Sequence, residues 1–230
     1  MIKLFQVVND RWGIPSPSPF CMKVETYLRM VGIPFISIPS VDLADAPKRK
    51  LPYIEDEGNR LGDSQLIIQY LKSRYGDPLD DGLTHEEWAI AHMIRRTLEE
   101  GLYFCLVFAR WQDEAPWRYT NELYFRDAPA VAATYRAYML DQLQKQGTGR
   151  HSSDEVANMA ALDIDAVAEI LGSRPFLLGL RPRSVDATVY AFLSNIIDVP
   201  VDTSLARSVR RHRNLVEYSE RMRSRYFVPA

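Results

Sequence analysis

Two serines and a cysteine lie close together near the start of the chain, in the run Ser16-Pro17-Ser18-Pro19-Phe20-Cys21. A hydroxyl donates a hydrogen bond to an anion, and a thiol exchanges with other sulfur groups. We expect a helix to begin inside this run, with Ser18 as its N-cap and Pro19 as its first residue. Because the N-terminal end of a helix is electropositive, a thiolate or another anion is stabilised there. The run therefore predicts a thiolate- or anion-binding turn.

The residues after Pro19 fit an amphipathic helix. Apolar side chains recur at helical spacing, at positions 20, 24, 27, 28 and 31, and this places Lys23, Glu25 and Arg29 on the opposite, polar side. A second interpretation of the same stretch needs no chemistry: Ser18 only caps the helix, and Cys21 is only a small buried residue. Both interpretations stay open on this stretch alone.

The letters Ser-Pro-Phe-Cys at 18–21 resemble the C-P-[YF]-C motif of the thioredoxin superfamily, with Ser in place of the first Cys. Residues 15–30 as a whole resemble the first helix of cytosolic glutathione transferases, and most of all the branch with the failed-axon-connections and metaxin proteins. The N-L-x-x-Y pattern at 214–218 is similar to the same branch. The resemblance implies an α/β, thioredoxin-like N-terminal domain, with a mixed four-stranded sheet and a cis-proline, followed by an all-α domain.

Two further motifs resemble the glutathione-binding parts of that family. Lys50-Leu51-Pro52-Tyr53-Ile54 resembles the run in which the proline is cis, so that the preceding backbone faces the glutathione backbone. Gly62-Asp63-Ser64 resembles the acidic-Ser pair that holds the γ-glutamyl end. The alternatives are an ordinary trans-proline at a strand start and simple helix capping. The glutathione-binding residues implied by the resemblance are Ser16, Phe20, Lys50, Leu51, Pro52, Asp63 and Ser64.

A third motif concerns folding. Residues 179–192 resemble the G-x-x-P-[ST]-x-x-D-A run in which a Ser or Thr caps a buried helix. Here Arg183 occupies the capping position, so a cap at Ser184 with a shifted register is the alternative. Residues 185–197 are apolar nearly all round, and this predicts a helix buried in the core.

The resemblance implies two candidate catalytic residues, Ser18 and Cys21. In hydroxyl-type transferases the hydroxyl donates to the glutathione sulfur and favours its thiolate, and Ser18 occupies that position. Cys21 would instead act by thiol exchange. The candidates to face a second substrate, between Trp12 and the long helix, are Arg95, Arg96, Glu99, Tyr103 and Arg110. The alternative for the charged ones is surface ion pairing, Arg95 with Glu99 and Arg96 with Glu100.

Periodicity divides the chain into residues 1–76, a linker at 77–84 rich in Asp, Gly and Pro, and an all-helical domain at 85–230. The resemblance implies that residues 1–76 form a thioredoxin-like, glutathione-binding domain. Strands are predicted at 3–8, 35–38, 52–55 and 60–62. A long helix from about 84 to 112, with a possible bend at Gly101, is expected to open the helical part. Further helices are predicted at 118–125, 130–146, 152–172, 185–197, 204–211 and 214–225.

Composition narrows the class of protein. The 230 residues are 47% hydrophobic and 25% charged, which predicts an ordinary globular core. A net charge of −2 gives no reason to expect nucleic acid binding. Two distant cysteines make no disulfide framework and fit a reducing, cytoplasmic location. We expect no membrane span and no metal site, since no long apolar run and no tight His/Cys ligand spacing occurs.

Three functional hypotheses follow. The first is a glutathione transferase that conjugates glutathione, its co-substrate, to a small hydrophobic electrophile, with Ser18 stabilising the thiolate. The second is a glutathione transferase-like binding or scaffold protein with little catalysis. The third is a glutaredoxin-like thiol oxidoreductase acting through Cys21. The family resemblance also implies a homodimer.

Overall fold

A computed structural model describes residues 1–8, 13–41, 43–126 and 129–227. Its sheet has four strands in the order β2-β1-β3-β4, where β1 is Ile2–Gln6, β2 is Phe35–Pro39, β3 is Tyr53–Asp56 and β4 is Asn59–Gly62. β1 pairs parallel with β2 and antiparallel with β3, and β3 pairs antiparallel with β4. The predicted mixed four-stranded sheet is confirmed, and each strand lies within a few residues of its predicted place.

Two helices accompany the sheet, α1 (Pro19–Val31) and α2 (Ser64–Tyr75). The side chains between sheet and helices are apolar and buried, and they include Leu4, Val24, Leu28, Ile54 and Ile67. Met22, on another face of α1, belongs to the core of the helical part of the chain. Helix α1 therefore lies between the sheet and the helices that follow.

This sandwiched position of α1 corrects one expectation from the sequence. Lys23 and Glu25 were predicted on a polar, exposed side, yet Lys23 is 0% exposed and Glu25 is 4% exposed. Only Arg29 of the three charged residues remains partly exposed. A buried charge needs a partner, and each buried residue has one: Lys23 pairs with Glu99, and Glu25 pairs with Arg29.

The long helix predicted at 84–112 is present in three pieces. Helix α3 (His85–Arg96) continues through a π-helical segment (Thr97–Leu102) into α4 (Tyr103–Trp111). Gly101 lies in the π-helical segment, and a Cβ atom there would stand 2.9 Å from Asp163 Oδ2. This oxygen atom is the end of a flexible carboxylate side chain, which would have to move to admit a side chain at position 101. Single π-turns of this kind are frequent at functional sites.

The rest of the described chain is helical. The helices are α5 (Glu114–Phe125), α6 (Pro129–Gln146), α7 (Ser153–Leu171), α8 (Ser184–Ile197), α9 (Ser204–Arg210) and α10 (Arg213–Tyr226). As predicted, α8 is buried over nearly its whole length and packs against α1. Within the described ranges, none of these helices combines the length and apolar character that a membrane crossing requires.

The start of α8 does not have the shifted cap at Ser184 that the sequence offered as an alternative. Arg183 is the N-cap residue and Ser184 is the first helical residue, so the shifted register is wrong. The Arg183 side chain cannot accept a hydrogen bond. Instead, Asp80 accepts from the Ser184 backbone N–H at 2.8 Å, and Asp186 accepts from the Arg183 N–H at 2.7 Å. A carboxylate from residues 77–84 thus supplies the cap that the sequence lacks.

Candidate active site

The candidate catalytic turn stands directly before α1. Ser18 is the N-cap, and its Oγ accepts a long 3.4 Å hydrogen bond from the Cys21 N–H. The Ser18 side chain is partly exposed, whereas Ser16 is buried and accepts a 3.2 Å hydrogen bond from the Ser18 N–H. Of the two serines, Ser18 is therefore the one whose hydroxyl reaches solvent at the positive end of the helix.

Three residues from the helical part of the chain hold this turn in place. The Pro17 carbonyl accepts from Arg110 at 2.7 Å and from the Tyr124 hydroxyl at 3.2 Å. The Ser16 carbonyl accepts from the Asn195 side chain at 3.2 Å. Arg110 was predicted to face a second substrate, but its guanidinium is buried and donates to this backbone. In the sequence, the polar residue Asn195 within the otherwise apolar α8 is the signal that could have pointed to a buried hydrogen bond of this kind.

Cys21 is fully buried one turn into α1. Burial raises the pKa of its thiol, and a hydrogen bond with Ser18 offsets this only in part. A thiol with a raised pKa stays protonated near neutral pH, and only the thiolate attacks a disulfide. The geometry therefore disfavours thiol exchange through Cys21 in the folded protein.

The second candidate element is the loop before β3. The Leu51–Pro52 peptide bond is cis, as the K-L-P-Y-I resemblance predicted. Lys50 is exposed, Leu51 is half-buried and Pro52 is buried against the sheet. A cis X–Pro bond reverses the direction in which the preceding backbone points. The assignment of Lys50, Leu51 and Pro52 to glutathione stays a prediction.

Asp63 and Ser64 lie at the N-terminus of α2. Asp63 is exposed, and its Oδ1 accepts hydrogen bonds from the N–H groups of Gln65 at 2.9 Å and Leu66 at 3.0 Å. Its backbone has φ 84° and ψ 120°, outside the regions that side chains other than glycine prefer. Strain of this kind costs about 1–3 kcal/mol and clusters at binding sites. The capping predicted for this pair is confirmed for Asp63, which leaves a carboxylate at the helix end.

Ser64 is buried, and Lys23 connects it to the long helix through a hydrogen bond to Ser64 and an ion pair with Glu99. Lys23 Nζ lies 3.4 Å from Ser64 Oγ and 2.5 Å from Glu99 Oε1. Glu99 Oε2 accepts from Arg95 at 2.6 Å. The predicted alternative, an i, i+4 ion pair of Arg95 with Glu99, is confirmed, as is that of Arg96 with Glu100. The second-substrate roles of Arg95 and Glu99 stay predictions.

Tyr103 lies beside the catalytic turn through Phe20. The two rings pack edge to face with centroids 4.8 Å apart. Burial raises the pKa of Tyr103 to about 12, so its phenol stays protonated and can donate a hydrogen bond. The predicted residue Trp12 lies outside the described residues. Among those that the structure describes, no three His, Cys, Asp or Glu side chains come together as metal ligands.

Comparison with known proteins decides the family. The model for the glutathione S-transferase N-terminal domain matches residues 19–115, and the model for the glutathione S-transferase C-terminal domain matches residues 160–222. An isoprene-epoxide–glutathione S-transferase from Rhodococcus sp. strain AD45 is 40% identical, with 94% of this chain and 96% of that protein covered. The chain belongs to the glutathione S-transferase family. The predicted family and fold are both confirmed.

Other relatives of this glutathione S-transferase chain carry different names. Failed axon connections from Drosophila melanogaster is 28% identical, covering 93% of this chain and 55% of that protein. Metaxin-2 from Homo sapiens is 23% identical, covering 97% of this chain and 88% of that protein. The predicted likeness to this branch is confirmed. A glutathione S-transferase from Methylobacterium radiotolerans, solved with glutathione sulfonate, shares the fold with a TM-score of 0.61, 21% identity and coverage of 97% and 91%.

Proposed function

We propose that this chain is an active glutathione transferase that adds the glutathione sulfur to a small hydrophobic electrophile, with Ser18 stabilising the thiolate. The observation that carries the proposal is the partly exposed Ser18 hydroxyl at the positive end of α1. The carbonyls of the two residues before it, Ser16 and Pro17, accept buried hydrogen bonds, so the backbone that carries this hydroxyl is held in place. A fixed donor aimed at a developing charge needs no reorganisation during the reaction.

The glutathione cradle in this proposal comprises Lys50, the Leu51 backbone, Asp63 and Ser64. The strained Asp63 backbone at the start of α2 supports it, because strained conformations of this kind cluster at binding sites. Asp63 would meet the ammonium of the γ-glutamyl group, and Ser64 with the α2 N-terminus would meet the carboxylate.

We propose a small epoxide as the electrophile, since the relative from Rhodococcus is named for an isoprene epoxide. The thiolate sulfur forms a bond to an epoxide carbon, the C–O bond of that carbon breaks, and the ring oxygen leaves as an alkoxide. The alkoxide takes a proton from the Tyr103 phenol, which water then restores. Tyr103 is assigned this role because its ring packs against Phe20 beside the catalytic turn and its protonated phenol can donate.

A binding or scaffold role with little catalysis is the second candidate. The likeness to Failed axon connections and Metaxin-2 favours it. The two candidates share the fold and the cradle, and they differ in whether the bound thiol reacts.

We also propose a homodimer in the cytoplasm, where reduced glutathione is plentiful. Exposed apolar side chains on two helices are candidates for the dimer surface: Trp88 is 61% exposed and Met93 is 64% exposed on α3, and Leu66 is exposed on α2. Light scattering at micromolar concentration tests this, with Trp88→Glu expected to shift the mass to that of a monomer. A monomeric mass for the unmodified chain would exclude the dimer.

Calorimetry with glutathione, followed by turnover with a small aliphatic epoxide and with an aryl halide, tests the proposed function. Cys-Gly, which lacks the γ-glutamyl group, is the control ligand and should bind far more weakly. Glutathione binding with turnover supports the transferase, and binding without turnover supports the scaffold. Failure to bind glutathione would exclude both.

A further inference from the structure

Lys23 is a buried cation that is not among the candidate site residues from the sequence and has no role in the proposed reaction. Its ammonium is 0% exposed and meets three oxygen acceptors, Glu99 Oε1 at 2.5 Å, Gln65 Oε1 at 2.8 Å and Ser64 Oγ at 3.4 Å. Two of these belong to the first turn of α2. The third belongs to the π-helical segment of the long helix, so Lys23 joins three separate elements.

The chemistry of an ammonium group fixes the direction of these hydrogen bonds. Lys has three donors and no acceptor, so the oxygens of Ser64 and Gln65 must both accept from it. The Ser64 proton and the Gln65 amide protons are then left to donate elsewhere. Both residues stand at the N-terminal turn of α2, where the helix already favours an anion. Because Lys23 occupies their oxygens as acceptors, the side chains of Ser64 and Gln65 present their protons as hydrogen-bond donors.

The charged groups around Lys23 are complementary to a zwitterionic ligand. Glu99 is shared between Lys23 and Arg95, so these three side chains carry one net positive charge. Asp63, at the N-cap of α2, adds one exposed negative charge at the same helix end. The surroundings of the α2 N-terminus therefore offer separate positive and negative charges. An α-amino acid end group, with a carboxylate and an ammonium, has the complementary pattern.

We propose that Lys23 is a positioning residue that makes the site select the zwitterionic γ-glutamyl end of glutathione. Lys23 is too deeply buried to touch the ligand itself. It acts through Ser64 and Gln65, whose protons it directs toward the α-carboxylate, and Glu99 of the π-helical segment holds its charge in place. This assignment rests on the proposed function, because it takes glutathione as the ligand of α2.

The test compares glutathione with 4-aminobutyryl-Cys-Gly, which is glutathione without the α-carboxylate. Calorimetry gives both dissociation constants for the unmodified chain, for Lys23→Met, and for Lys23→Met combined with Glu99→Gln. In the single variant Glu99 keeps its ion pair with Arg95, and the double variant also removes the carboxylate charge that Lys23 had balanced, so it serves where the single variant fails to fold. Lys145→Met is the matched control, since this exposed lysine pairs only with Asp141 on α6.

The unmodified chain should prefer glutathione by about tenfold or more, and the Lys23 variants should reduce this preference to about threefold or less. Glutathione binding alone should weaken, so the KM for glutathione rises while kcat changes little. Variants that keep the full preference, or that lose both ligands by the same factor, would overturn the role of Lys23. Absence of glutathione binding in the unmodified chain would instead overturn the proposed function, a different result.

Discussion

The guanidinium of Arg110 donates a 2.7 Å hydrogen bond to the backbone carbonyl of Pro17, 93 residues away in sequence. Its other nitrogen donates to the backbone carbonyl of Asn195 at 2.7 Å. Arg110 therefore joins the catalytic turn to α4 and α8 in the protein interior. The position of Ser18 depends on this contact, because Ser18 directly follows Pro17 in the chain.

Replacing Arg110 by Met should destabilise the protein by roughly 2–5 kcal/mol, because a buried charged hydrogen-bonding group is lost and the Asn195 carbonyl loses its donor, although Pro17 keeps its bond from Tyr124. Tyr124→Phe is the matched mild variant, since Pro17 keeps its bond from Arg110, and about 0.5–1.5 kcal/mol is expected. Urea unfolding followed by tryptophan fluorescence measures both. An Arg110→Met protein as stable as the unmodified chain would contradict the role assigned to this contact.

Asp63 is expected to bind glutathione through its charge, and Asp63→Asn isolates that charge. Asn keeps the oxygen that caps α2 and tolerates a positive φ, so folding should change little. Loss of a charge-assisted hydrogen bond should weaken glutathione binding by about tenfold or more. Calorimetry measures the affinity and thermal unfolding checks the fold. Asp63→Ala should in addition lower the melting temperature, whereas unchanged affinity in Asp63→Asn would exclude the assignment.

The helix ends were predictable from the sequence because caps act over a few residues. Ser18 caps α1 before Pro19 as predicted. The T-x-x-E pattern that begins at Thr84 and the S-x-x-E pattern that begins at Ser152 both form capping boxes in the structure, and Gly32 ends α1. Gly32 adopts the left-handed conformation that its position requires, with φ 68°. The cis-proline and the acidic-Ser pair were predictable for another reason, the family resemblance.

The environment of α1 and of the catalytic turn was not predictable from local pattern. Periodicity shows which side of a helix is apolar, but not that a second layer covers its polar side. Helix α8 packs against α1, and Glu99 of the long helix supplies the partner of buried Lys23. The partners of Glu25 are Arg29 in α1 itself and Gln6 in β1. The π-helical segment changes the side of the long helix on which Glu99 lies. In the sequence, Gly101 was the residue that suggested an irregularity in this helix. Contacts of Pro17 with Arg110 and Tyr124 span too many residues for any local signal.

Asp186 should make part of the stability depend on pH. Burial raises its pKa to about 6, although Arg183, Leu177 and Tyr218 donate hydrogen bonds to it. The ordinary value in an unfolded chain is about 3.9. Between about pH 4 and pH 6 the folded state therefore holds a proton that the unfolded state has lost. The contribution of this group is present at low pH and is lost as the pH rises through 6.

The measurement is the free energy of unfolding of the unmodified chain minus that of Asp186→Asn, by urea titration at several pH values. Taking the difference cancels the titration of the other carboxyl groups. It should fall by up to roughly 3 kcal/mol between about pH 4 and pH 7. A difference that stays flat, or that rises with pH, would contradict a raised pKa at Asp186.

Ser18, rather than Cys21, should activate the glutathione sulfur. As the N-cap, Ser18 uses an oxygen lone pair to accept from the Cys21 N–H, and we expect its proton, which also faces the Cys21 sulfur, to donate to the glutathione thiolate once that anion is bound. Ser18→Ala should therefore raise the pKa of the bound thiol, measured by thiolate absorbance, and lower kcat. It should also cost about 1 kcal/mol of stability through the lost cap. Cys21→Ala should leave both the pKa and kcat nearly unchanged, because the thiol is buried and protonated.

Ser18→Cys sharpens this comparison, because it creates the C-P-F-C run of the thioredoxin superfamily. The new thiol would stand at the positive end of α1, where a thiolate is stabilised, and Cys21 follows three residues later. Disulfide exchange should therefore appear in this variant and be absent from the unmodified chain, as followed by reduction of a small mixed disulfide. Full transferase activity in Ser18→Ala, together with its loss in Cys21→Ala, would reverse the assignment and favour the thiol oxidoreductase.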